Sequence, residues 1–199
     1  MRDMLAPTQW HTAANMVKLF LFGAPVVERQ GRAIPVDRHK AIALLAYLVL
    51  TGRRHSRDVL AALLWPDLDQ SRARAGLRRV LRTLRAVVGP EQVIADRESI
   101  GLRANTTLWA DVAAFQQRMA DSRVHTVPCG QDPAGQLLLE EAVALYRADL
   151  LAGFSLRDAP EFENWLCLER EMLRRAATSA LEMLVQLHTR HGNFAAAQD

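Results

Sequence analysis

Six arginines fall within fifteen residues, Ser71 to Arg85 (SRARAGLRRVLRTLR), and no acidic residue lies among them. A guanidinium group is a planar, permanently charged fork of donors that matches phosphate oxygens and guanine edges. At 100° per residue, Leu77, Val80, Leu81, Leu84 and Val88 share one arc of a helix. Arg74, Arg78, Arg82 and Arg85 form a stripe beside that arc, with Arg72 and Arg79 further round. A helix buried along one face and offering guanidinium groups along the other suits a polyanion, foremost duplex DNA. A merely solvated face is the plainer alternative, but such faces usually mix charge signs.

A helix presents three or four side chains to base edges, so six arginines cannot all read sequence. Arg74 and Arg78, near the N-terminal turns, are expected at base edges, with Arg79 a further candidate. Arg82 and Arg85 would hold phosphates, or Arg85 would pair with a carboxylate inside the protein. Arg53, Arg54 and Arg57 precede or open another helix, where they would either meet phosphate or stand exposed. His39 and His55 lie in basic surroundings and could touch phosphate too.

Nothing else offers catalytic or ligand chemistry. His188 and His191 have i, i+3 spacing but no nearby carboxylate or cysteine on the same helix, so they read as surface residues, not metal ligands. Lys18 and Lys40 are the only lysines, and no glycine-rich phosphate loop accompanies them. Glu140, Glu141, Glu161 and Glu163 fall at exposed helical spacing. The chain is expected to be neither an enzyme nor a metal or cofactor protein.

The arginine helix needs a scaffold, and the preceding sequence supplies one. Val17–Phe22, Val26–Arg29 and Ala33–Val36 read as three short strands, the last two joined at Gln30-Gly31. Asp37 would cap a helix over Arg38–Leu50. Ser56 would cap a second over Arg57–Trp65, with Val59, Leu60, Leu63 and Leu64 inward and Pro66 as its stop. After a loop at Asp67–Gln70, Ser71 would cap the arginine helix, which ends at Gly89-Pro90. Val93–Ala95 and Ser99–Leu102 flank Asp96-Arg97-Glu98 as a hairpin. Sheet, three helices and hairpin make a winged helix whose third helix enters the major groove.

The remainder reads as helical: Trp109–Ala120, Gln136–Ala148 and a long helix over Glu161–His191 opened by Pro160. Trp65, Trp109 and Trp165 are expected in the core between helices. Leu184, Leu187, Gly192, Phe194 and Ala197 fit the hinge of a tetratricopeptide-type pair, so the chain reads as the N-terminal part of something longer. The fold class is therefore an α+β winged-helix DNA-binding domain (residues 16–104) followed by an all-α tetratricopeptide-like helical domain (residues 105–199). Residues 1–15 read as a poorly ordered leader.

Charge is divided along these lines. Of 199 residues, the first 104 carry 17 basic and 9 acidic side chains, whereas the rest carry 8 and 13. One half can meet nucleic acid while the other meets something else. Cys129 and Cys167, the only cysteines, read as free thiols of a reducing cytoplasm, with a disulfide left open. No signal-peptide pattern is present, and the longest apolar run, Ala41–Leu50, is too short for a bilayer.

The segments VKLFLFGAPVVERQGRAIPV, RHKAIALLAYLVLTGRRHSRDVLAALLWPDLDQSRARAGLRRVLRTLRAVVG, DVAAFQQ and ALYRADLLAGFSLRDAPEFENWLCLERE together resemble the SARP-type bacterial transcriptional activators. In that family an OmpR-like winged helix precedes a bacterial transcriptional activation domain. The resemblance implies that the winged helix binds promoter repeats in double-stranded DNA. It further implies that the helical domain supports a homodimer and contacts RNA polymerase, and that Asp67 and Asp69, before the recognition helix, are a polymerase-contact loop. Where relatives often carry a Gly-Tyr pair entering the last wing strand, this chain reads Arg97-Glu98-Ser99-Ile100-Gly101-Leu102, leaving Arg97 the obvious basic group at the wing tip. A helical-repeat signalling scaffold, whose winged helix binds protein instead of DNA, is the competing expectation. The regulatory front end of a nucleotide-hydrolysing switch protein is a third.

Overall fold

The computed structural model describes residues 16–103, 107–124 and 133–190. The leader, Cys129, His191 and the expected repeat hinge beyond it lie outside the described residues. Alternation governs the first strand, β1 (Val17–Phe20): Val17 and Leu19 are buried and Lys18 is exposed. It pairs antiparallel with β2 (Val26–Arg29), which pairs with β3 (Arg32–Ala33). β1 is shorter than its apolar run because the amides of Leu21 and Phe22 turn away to the carboxylate of Asp111. β3 stops early as well, ahead of Pro35, which has no N–H for a ladder.

Three helices follow: α1 (His39–Thr51), α2 (Arg57–Leu64) and α3 (Gln70–Val88), with a two-residue strand, β4 (His55–Ser56), between the first two. Ser56 caps α2, its hydroxyl accepting from the Val59 amide at 3.2 Å. Two expected caps are not used. Arg38, not Asp37, occupies the cap position of α1 and makes no side-chain cap bond. Asp69, not Ser71, caps α3, accepting from the Ser71 and Arg72 amides at 3.1 Å each. Val59 points outward, because the inward stripe of so short a helix is Leu60, Ala61, Leu63 and Leu64.

A 3-10 turn at Pro90–Gln92 leads into the hairpin of β5 (Val93–Ala95) and β6 (Ser99–Leu102). β6 also pairs with β4, so the wing is the edge of a three-stranded sheet hung on the α1–α2 connection.

Where a helix was expected from Trp109, the chain instead forms β7 (Leu108–Ala110), parallel to β1 with Val17 opposite Leu108. Trp109 therefore sits on a strand, edge-on to Phe20 at 5.6 Å, and not between helices. The N-terminal sheet is thus completed by chain from beyond residue 104. Then come α4 (Asp111–Val124), α5 (Pro133–Leu145) and α6 (Pro160–Arg190), with α5 packed on both α4 and α6. One continuous buried cluster runs from Val17 to Leu184, spanning both halves.

Buried polar groups tie the halves together. Asp111, 1% exposed, accepts from the amides of Leu21 (2.8 Å), Phe22 (3.1 Å) and Val112 (2.8 Å). Arg170 of α6 donates to the carbonyls of Leu150 and Leu151, fixing the connector before α6. Glu163, expected as a solvated carboxylate, instead accepts from the Leu156 amide in that connector. Trp165 packs against Tyr47 of α1 at 4.8 Å.

Candidate nucleic-acid interface

The 19 residues of α3 make a rod about 28 Å long at 1.5 Å per residue. Ala73, Leu77, Val80, Leu81, Leu84 and Val88 are buried, which orients the opposite face outward. On that face Arg78, Arg79, Arg82 and Arg85 are exposed, and no ion pair or side-chain hydrogen bond holds any of them among the described residues. The alternative of an internal carboxylate partner for Arg85 is therefore not what the fold provides. Arg72 stands 3.2 Å from Asp69, one turn back.

Arg74 is held differently. Its Nε and Nη2 donate to the two carboxylate oxygens of Asp58 at 2.7 and 2.8 Å. That bidentate pair lowers the Asp58 carboxyl below its ordinary range and raises Arg74, with the hydrogen bond the leading cause in each. Because Asp58 lies in the first turn of α2, the pair locks α2 to α3. Arg74 can reach a base only by giving up this partner or sharing it.

The wing is organised by Asp96. Its carboxylate accepts from the amides of Glu98 (2.9 Å) and Ser99 (2.7 Å) and from Arg54, and its carbonyl accepts from Arg57 Nε at 2.8 Å. The two amides lead in pushing its carboxyl down to about 2, with the Arg54 guanidinium contributing less. A Cβ on Gly101 would come within 2.7 Å of Arg54 Cγ, so the absent side chain lets the Arg54 stem cross β6. Arg54 and Arg57 thus brace the wing from the α2 side, while Arg97 at its tip is exposed and unpaired among the described residues. Arg53 is also exposed.

Arg57, Arg74, Arg78 and Arg97 surround a cleft of about 200 Å³ floored by Leu77. Four of the ten arginines singled out in the sequence therefore meet where α2, α3 and the β5–β6 hairpin converge. Arg72, Arg79, Arg82 and Arg85 extend the basic face along α3. Guanidinium groups gathered without equivalent counter-charge are a site for anionic oxygens.

His55 does not join them. It is 6% exposed, its ring 2.8 Å from the Thr51 hydroxyl and stacked obliquely on Tyr47 at 4.8 Å. Burial, then the nearby Arg53 charge, lowers its pKa. As the inward residue of a strand paired with Ile100, it is a core group and is withdrawn from phosphate contact. His39 remains exposed, its ring edge-on to Phe154 at 5.4 Å. Asp67 is exposed, whereas Asp69 spends its carboxylate on the α3 cap. His188 lies 3.9 Å from Glu140 of α5 and is only 16% exposed in its side chain, so it is less of a surface residue than its spacing suggested.

Two residues that organise the site, Asp58 and Asp96, were not among the sequence candidates. Asp96 was legible as the first residue of an Asx-type turn, but neither arginine partner was, since each pairing spans 16 residues or more. Among the described residues no group of three His, Cys, Asp or Glu side chains is placed to hold a metal ion, and no helix is long and apolar enough to cross a membrane.

No protein-family model matches the chain, and no curated protein matches it. Among solved structures, the fold is similar to that of Mycobacterium tuberculosis EmbR in complex with a low affinity phosphopeptide, with a TM-score of 0.72 at 22% sequence identity. The match covers 90% of this chain and 47% of that one, so the chain spans about half the length of its structural relative. What the likeness establishes is the fold, a mixed sheet-and-helix N-terminal half continuing into a helical half as in EmbR.

Proposed function

We propose that this chain is a sequence-specific DNA-binding module of a SARP-type transcriptional activator, with α3 in the major groove and the wing on the adjacent backbone. One observation carries the reading. Arg78, Arg79, Arg82 and Arg85 on the third helix, and Arg97 on the wing, are exposed and have no carboxylate partner among the described residues. A scaffold that bound protein through this face would have no need to leave five guanidinium groups without counter-charges.

In this reading Arg78 and Arg79 contact base edges, and Arg82, Arg85 and Arg97 neutralise phosphates. Arg74, clamped by Asp58, stiffens the helix against α2 and is at most a shared contact. The exposed Asp67 and the acidic helical half are the surfaces for RNA polymerase and for a second copy. The protein acts by binding and recruitment, not by catalysis, in the cytoplasm.

Selection of bound duplexes from a random-sequence pool tests this. The expected product is a repeated half-site. Arg78→Ala should relax preference at one position, at a cost of about 1–3 kcal/mol, whereas Arg85→Ala should weaken all sequences alike. A bound pool with no sequence preference would overturn the sequence-specific reading.

A further inference from the structure

A second, larger cleft lies on the other edge of α3. It holds about 580 Å³ and is lined by Arg38 and Lys40 at the start of α1, Trp65 after α2, Arg79 on α3, and Arg157 and Asp158 in the connector before α6. It is therefore built from both halves of the chain. Trp65 lies so close along α3 that a Cβ on Gly76 would meet its ring at 2.8 Å, which keeps the floor of the cleft flat against the helix backbone.

The charges in this cleft are not balanced. Asp158, its acidic wall, is neutralised by Lys40 at 2.6 Å, and that ammonium also sits 4.8 Å from the centre of the Trp65 ring. Arg38, Arg79 and Arg157 are exposed and have no anionic partner among the described residues. Three free guanidinium groups remain, and Arg79 belongs at once to this cleft and to the arginine face of α3. The helical half, which is net acidic, thus turns an arginine toward that face and has its neighbouring carboxylate masked.

We infer that this cleft seats backbone phosphate of DNA flanking the site read by α3, so that Arg157 of the helical half and Arg38 of α1 extend the interface across both halves. This rests on the DNA-binding reading above and goes beyond it, because it places a DNA contact outside the winged helix. Continuity with the α3 face through Arg79 favours the same polyanion over a separate small anion.

The test compares wild type, Arg157→Ala and Arg38→Ala on two duplexes with the same selected half-site, one cut at its ends and one carrying six further base pairs on each side. Arg175→Ala serves as the control, since Arg175 is exposed on α6, paired with Glu171 and does not line the cleft. On the long duplex, Arg157→Ala and Arg38→Ala should each reduce the slope of log K against log salt by about 0.9. The loss in affinity relative to wild type should consequently differ about 3.5-fold between 50 and 200 mM salt. On the short duplex both variants should match wild type, and Arg175→Ala should match it on both.

Unchanged slopes for Arg157→Ala and Arg38→Ala on the long duplex, with wild type still binding steeply, overturn the inference and leave the DNA-binding reading intact. An equal loss with Arg175→Ala overturns it too, because bulk charge would then explain the effect. Wild type that binds neither duplex refutes the DNA-binding reading itself. If ATP, as a free phosphate probe, binds wild type at micromolar concentration and loses that binding with Arg157→Ala, while the long-duplex slopes stay unchanged, the cleft is a small-anion site and the inference fails.

Discussion

Asp111→Ala is expected to destabilise the two halves of this chain together. The carboxylate of Asp111 sits at the start of α4, 1% exposed, and accepts from the amides of Leu21 and Phe22 at the end of β1, about ninety residues earlier in the chain. Alanine would leave both donors buried without an acceptor, at about 1–3 kcal/mol each, and would remove the N-terminal contact with the Val112 amide. Arg147, 3.4 Å away and half exposed, can turn to water, so it adds little. Over the two donors the loss sums to about 2–6 kcal/mol. Asp111→Asn, which keeps one acceptor oxygen, should lose about half as much. Urea unfolding followed by far-ultraviolet circular dichroism and by tryptophan fluorescence measures it. Both probes should move together, because Trp65 lies in the N-terminal half, Trp165 in the helical half, and one buried cluster joins them. A loss below about 0.5 kcal/mol for Asp111→Ala would refute the reasoning. So would a second transition confined to one half.

Three further outcomes follow from particular contacts. Asp58→Asn frees Arg74 and removes a negative charge beside the proposed groove; DNA binding should tighten severalfold and its salt slope should steepen by about 0.9, read by fluorescence anisotropy. Weaker binding would instead mean that the Asp58 clamp is needed to shape the recognition helix. His55 has a pKa lowered by burial, so below about pH 6.5 the unfolded chain binds the extra proton more readily. Stability from this group is present at neutral pH and is lost as pH falls through that window; the urea midpoint of wild type should drop from pH 7 to pH 5 more than that of His55→Gln, and equal drops would contradict it. Gly76→Ala places a methyl 2.8 Å from the Trp65 ring, so packing strain of about 1–3 kcal/mol should outweigh the helix-propensity gain of about 1 kcal/mol. A lower melting temperature with altered tryptophan emission is expected, and a higher one would show that Trp65 moves aside freely.

The helical periodicity of Leu77 to Val88 was enough to place α3 and its arginine face, since both follow from local spacing. Ser56 and the wing turn were legible for the same reason. What stayed hidden depends on partners far along the chain. β7 is three residues long, too short for a periodic signal, and exists because it lies parallel to β1. Asp69 caps α3 two positions ahead of Ser71, a difference within the ordinary blur of helix ends. Which arginines carry counter-charges was not legible from local spacing: Asp58 and Asp96 make Arg54, Arg57 and Arg74 brace the scaffold, Asp69 pairs with Arg72, and Arg53, Arg78, Arg79, Arg82, Arg85 and Arg97 have no ion pair among the described residues. His55 shared its basic neighbours with the phosphate candidates, and only the pairing of β4 with β6 turned it inward.

The most direct measurement of the central claim is the salt dependence of binding to a selected duplex, for wild type and for an Arg78→Ala, Arg82→Ala double variant. With about five phosphates neutralised, log K should fall against log salt with a slope of about −4 to −5, and the double variant should be weaker and shallower. A slope near zero, or a double variant indistinguishable from wild type, would contradict the assignment of α3 as a DNA-recognition helix.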